Sequence, residues 1–211
     1  METEGHDERA SLHDEVEPGA CVLFLAPSLH TGTEDGCLDL LSLDAPAEQN
    51  VLWVTYTRSP DDCVQDWMAH ADAEPGNVQF VNVGETTRSA SARTGDGASS
   101  AVSWQAVETL ANPGDLTGLG IKLSEVLKQW EDNDNRTVAC FDSLTALLQY
   151  ADLQRAFRFL HVVTGRVKTA EGVGHYHLDP EAHDRQTLAT LKGLFDAVVE
   201  VDEDESVSVQ Q

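Results

Sequence analysis

The chain has 211 residues, 37 of them acidic and 13 basic, for a formal net charge of -24. That length supports one well-buried domain, and a polyanion of this kind repels nucleic acid and anionic membranes, so neither is an expected direct partner. Apolar strand-like runs separate it from a disordered polyanion, and the acid excess fits the cytoplasm of a salt-accumulating cell, where molar salt screens charge within about 3 Å.

The first 19 residues are polar and acidic and read as a flexible tail, with no signal-peptide pattern. An apolar strand over 20–26 runs into a turn at 27–32 and a helix over 33–43. A second strand, 50–57, is rich in β-branched and aromatic residues. Ser59 and Pro60 then make a good cap and first position for a helix reaching Ala71. A turn at 74–77 leads into a strand over 78–83. Residues 84–101 are small, polar and glycine-containing, and read as a mobile loop. Residues 102–110 fit a short strand or a helical turn.

From Pro113 to Trp130, the residues Leu116, Leu119, Leu123, Val126, Leu127 and Trp130 recur at helical spacing. A strand over 137–141 ends in Asp142-Ser143, and a helix over 152–169 carries Leu153, Phe157, Leu160 and Val167 on one face. A strand over 174–178, a helix over 181–193 and a strand over 196–201 follow, with 206–209 able to close a terminal hairpin. The body of the domain is therefore 20–202, with 203–211 a terminal strand or tail.

This alternation predicts an α/β domain of three layers, its mostly parallel sheet covered by helices on both faces. Ligands of such sheets bind at the carboxyl ends of the strands. Here those ends are the 27–32 turn, Thr57-Arg58, Asp142-Ser143 and Leu178-Asp179.

A nucleotide-binding protein carries Gly-x-x-x-x-Gly-Lys-[Ser/Thr] after its first strand. Setting Gly32 at the second glycine places Pro27 at the first, Thr33 at the lysine and Glu34 at the magnesium-binding hydroxyl. Helix N-termini attract anions, but Glu34 and Asp35 bring two carboxylates to this one and oppose a triphosphate. A simpler role for Thr33 is to cap the helix, with the two acids stabilising its first turn. Neither role restores the lysine.

The element order over about 18–202 resembles RecA/KaiC-like P-loop ATPases. The resemblance rests on the Val51-Leu52-Trp53-Val54-Thr55-Tyr56 strand, on Asp115-Leu116-Thr117 with Leu123-Ser124-Glu125-Val126-Leu127, on the Walker B-like Val138-Ala139-Cys140-Phe141-Asp142-Ser143, and on Phe157-Arg158-Phe159-Leu160 with the 194–200 strand. More narrowly, the 143–150 and 175–180 stretches resemble a haloarchaeal branch of RecA-like proteins with a degenerate Walker A. The resemblance implies a water-activating glutamate after the second strand, where this chain has Thr57-Arg58 and no carboxylate before Asp61. Of the phosphoryl-transfer parts only Asp142 survives, beside Ser143, and one carboxylate does not carry that chemistry. Orienting Ser143 or capping a helix is the simpler role for Asp142.

His175 and His177 are two apart in a strand and face the same way. With His183 and the acids Asp179, Glu181 and Asp184 they form a candidate zinc-type site. Ordinary packing of a His-x-His strand and a helix start at Asp179-Pro180 outweigh that reading. The cysteines Cys21, Cys37, Cys63 and Cys140 show no paired metal spacing, and Cys21 and Cys140 read as buried thiols.

These readings lead to a non-catalytic pseudo-ATPase with no cofactor, acting as a regulatory or scaffolding protein through a protein partner or self-association. Trp67, Trp104, Arg88 and Arg93 are the candidate contact residues. One alternative is binding of ATP or Mg at the remnant site, with little hydrolysis. The other is a metal-dependent enzyme at His175, His177 and His183.

Overall fold

The computed structural model describes residues 17–27, 32–71, 73–84, 105–201 and 207–210. Most of the acidic tail, part of the 27–32 turn, the body of the 84–101 loop with Arg88 and Arg93, and Trp104 lie outside them. Thr33 and Glu34 belong to a helix whose backbone is described, but their side chains lie outside the described part.

The chain builds β1 (Cys21–Leu25), α1 (Gly32–Leu41), β2 (Gln49–Thr55), α2 (Pro60–Ala71), β3 (Asn77–Val83) and β4 (Gln105–Leu110). It continues through α3 (Leu116–Trp130), β5 (Arg136–Asp142), α4 (Leu144–Leu147), α5 (Leu153–Thr169), β6 (Val173–Leu178), α6 (Arg185–Lys192), β7 (Ala197–Val201) and β8 (Val207–Gln210). The eight strands form one sheet in the order β4-β3-β2-β5-β6-β1-β7-β8. Only the β7–β8 pair is antiparallel. The expected α/β architecture, with a mostly parallel sheet between helical layers, is the observed one.

Alternation along the strands divides the core in two. Val22, Phe24, Val51, Trp53, Phe80, Val138 and Cys140 face α1 and α2. Leu23, Leu25, Leu52, Val54, Phe141 and Tyr176 face α3, α5 and the residues around α6. Both faces of β1 are buried, as its unbroken apolar sequence requires. On the α1–α2 side Trp53 stacks on Phe80, with centroids 4.9 Å apart, and meets the edge of Trp67 at 5.9 Å. Each such buried side chain is worth about 2 kcal/mol of transfer free energy. Trp67 is wholly buried, and its Nε1 donates to the Ala73 carbonyl, which corrects its assignment as a contact residue.

Carboxylates and hydroxyls set the helix starts. Asp115, Asp152 and Asp184 accept from the backbone N–H groups of Gly118, Arg155 and Thr187 at the heads of α3, α5 and α6. The helix expected over 181–193 is shorter, because the chain makes a 3-10 turn at Pro180–Ala182, extends at His183 and restarts at the Asp184 cap. Of the 102–110 stretch, Gln105–Leu110 forms a strand, since β4 pairs in parallel with β3 from Val78–Gln105 onward, and 102–104 lie outside the described residues. After β2 the chain moves outward to β3, whereas after β5 it moves the other way to β6, so the β2/β5 junction is a topological switch point.

Candidate functional site

At this switch point a cavity of about 480 Å³ opens between the carboxyl ends of β2, β5 and β6. Arg58 and Thr57 border it after β2, Asp142 and Ser143 after β5, and His177 at the end of β6. Of the earlier candidates, Asp142 and Ser143 therefore meet at the predicted strand ends. Pro27 follows β1, and Gly32 opens α1.

Ser143 caps α4, its Oγ accepting from the Ala146 N–H at 3.2 Å. Thus Ser143, and not Asp142 as the sequence suggested, takes the capping role, in a helix too short to be foreseen. The Asp142 carboxyl accepts no hydrogen bond among the described residues, and burial pushes its pKa up against the opposing pull of His177. Arg58 is the one lysine or arginine lining the cavity among the described residues, and it is ion-paired with Asp66.

The histidine segment gives a different set from the one the sequence suggests. His175 and His177 do share a face, with ring centroids 5.1 Å apart. His183 does not join them: its Nε2 lies 3.3 Å from Thr145 Oγ1, beside α4. In its place stand Cys140, the register partner of His175 on β5, and Cys37 from α1. Cys37 Sγ lies 3.7 Å from Cys140 Sγ and 3.2 Å from His175 Nε2. One ligand atom from each of these four residues lies within 4.8 Å of every other.

Local sequence explains the convergence. Cys140 is two residues before Asp142, and His175 two before His177, so strand alternation aims all of them at the α1 side. Gly36 lets α1 descend onto the sheet, since a Cβ there would stand 2.9 Å from Phe24 Cζ. The next residue, Cys37, is thereby pressed against Cys140. Phe24 also packs on the His177 ring at 4.9 Å and walls the set from below.

All four side chains are buried, from wholly enclosed His175 to His177 at 9% exposure. The Cys140 thiol hydrogen-bonds Cys37 and holds its pKa well below the usual thiol value, assisted by the two imidazoles. Burial, followed by that same contact, holds Cys140 well above it. For His177, burial opposes the cation, but Cys37 and Asp142 outweigh it and the net direction is up. His175 Nδ1 and His177 Nε2 are buried without a hydrogen-bond partner. Cys63 borders the same cavity outside the set, and burial pushes its thiol up to about 12.

A second concave surface lies across the sheet, between α3 and α5, with a volume of about 910 Å³. Ile121 and Val162 on it are 54% and 55% exposed. Among the described residues no helix is long and apolar enough to cross a membrane.

Residues 19–201 match a family described as "Family of unknown function (DUF7504)". The chain belongs to DUF7504. No curated protein matches this DUF7504 member. A solved structure from Pyrococcus horikoshii OT3, a structural study of Project ID PH0250, is similar to it at a TM-score of 0.61 and 11% identity. The match covers 96% of this DUF7504 chain and 91% of that one, and it speaks to fold alone.

Proposed function

We propose that this DUF7504 member is a non-catalytic RecA/KaiC-like domain that works by docking an acidic amphipathic segment of a partner protein in the α3–α5 groove. The groove itself carries this reading. In a chain of net charge -24, Lys128, Arg155, Arg158 and Arg166 gather around it, against Glu125 and Glu131. Those are four of the ten described lysines and arginines. None of the four makes an ion pair within the chain among the described residues. Exposed apolar side chains between cations without a carboxylate partner suit a helix with apolar residues on one face and carboxylates at its margins, although Arg155 also donates to the Gly114 carbonyl. At molar salt the cations act only in contact, so the apolar strip supplies the affinity and the charges supply orientation.

The remnant cleft supports the non-catalytic half of the reading. Among the described residues a triphosphate would meet one lysine or arginine, already paired with Asp66, and the desolvated carboxyl of Asp142. The residues present do not fit ATP with magnesium, and no catalytic step is assigned to them.

The test has two arms, both on the full chain in multimolar KCl. Calorimetric titration with ATP and magnesium should show no binding, and affinity tighter than millimolar would defeat the reading. A photo-crosslinker at position 162 should capture one defined protein in the native host, while one at exposed Tyr150 should not. Arg158→Glu should abolish that adduct; a 162 adduct indifferent to charge reversal would reject the groove.

A further inference from the structure

We propose that Cys37, Cys140, His175 and His177 bind a tetrahedral zinc-class cation that staples α1 to β5 and β6. The site is separate from the groove across the sheet, and either reading can fail without the other.

Four observations converge on it. The donor set is two thiols and two imidazoles, the borderline-soft chemistry that zinc favours over calcium or magnesium. The sulfur spacing of 3.7 Å matches the edge of about 3.8 Å expected for two thiolates bound at 2.3 Å in a tetrahedron. The Cys37–His175 contact, at 3.2 Å, needs only a small opening to reach the sulfur–nitrogen edge of about 3.6 Å. Finally, His177 Nε2 is buried and unpartnered, which is costly unless a ligand satisfies it.

Charge balance adds a physical reason. A divalent cation with two thiolates and two neutral imidazoles is electrically neutral, so it suits an enclosure walled by Phe24 and the sheet. All four positions of the tetrahedron are filled by protein, so the site is structural and leaves no open position for substrate. The sequence hides it because the ligands come singly or as a His-x-His pair from three distant segments, and they meet only when β5 and β6 pair and α1 closes over them.

Elemental analysis of tag-free, full-length protein, purified at high salt from zinc-supplemented culture, should find one zinc per chain. Cobalt added to chelator-treated protein should give tetrahedral d–d bands and thiolate-to-cobalt charge transfer. Cys37→Ser and His177→Gln should lose both; Cys63→Ser, from the same cavity wall, should keep them. Folding of each variant is checked by circular dichroism. Should the ligand variants not fold, wild type decides: chelation should lower the melting temperature by about 10 °C, restored by zinc and not by magnesium. A wild-type chain that takes up no cobalt overturns the proposal. So does a cobalt spectrum that survives Cys37→Ser, or a Cys37–Cys140 disulfide found by peptide mapping.

Discussion

The two ends of the sheet bury polar side chains in opposite ways. At the amino end, Asn50 is wholly buried and its amide is fully engaged. Its Nδ2 donates to Asn133 Oδ1 at 2.9 Å, and its Oδ1 accepts from Asn77 Nδ2 at 2.8 Å, with Asn135 closing the ring. Neighbouring Gln49 donates to the Leu41 carbonyl, leaving only its Oε1 unpartnered. At the carboxyl end, His175 Nδ1 and His177 Nε2 have no partner, and Asp142 accepts no hydrogen bond among the described residues. A network that satisfies itself locks strands in place. One left open in a buried, switch-point location is a place for something from outside the chain.

Three substitutions would break or sharpen this contrast. The largest effect is expected at the closed end: Asn50→Ala empties a wholly buried position and removes its bonds to Asn77, Asn133 and Asn135, and should cost about 3 kcal/mol in urea unfolding. Because the amino end is self-contained, metal stoichiometry should not change; a loss of metal in that variant would mean the two ends are coupled. At the open end, Gly36→Ala drives a methyl into Phe24 and lifts α1, at about 2 kcal/mol. Here cobalt charge transfer should weaken together with stability, and an undiminished band would show that α1 does not hold its ligand through this contact.

The smallest effect concerns His183, which the structure separates from the other histidines. Burial lowers its pKa below 6.5, so the unfolded chain takes up the proton more readily. Its contribution to stability is complete above about 6.5 and is lost as pH falls below that value. His183→Gln should remove this slope and leave the metal content intact, whereas loss of zinc from that variant would return His183 to the site.

Much of the fold could be read from local chemistry. The unbroken apolar run of β1, the Ser59-Pro60 start of α2 and the helical spacing from Leu116 to Trp130 each express a period or a cap that acts within a few residues. The break at His183 was harder to see, since Asp179-Pro180 and Asp184 are both good starts and only the realised Asp184–Thr187 bond shows which one opens α6. Strand β4 was ambiguous for a similar reason: six residues fit strand or turn until β3 offers a pairing edge.

The candidate site divides along the same line. That Asp142 and Ser143 would end a strand at the ligand-binding edge, and that His175 and His177 would share a face, followed from strand direction and a period of two. That Cys37 and Cys140 would complete the set did not, nor that His183 would be absent from it. Sequence by itself determined the α/β alternation, the acidic charge and a turn after β1 that holds no lysine, because each is a property of residue identity or short-range periodicity. Tertiary structure alone decided which buried donors meet, because residues 37, 140 and 175 are joined by strand order and helix docking, over separations at which no local pattern carries information.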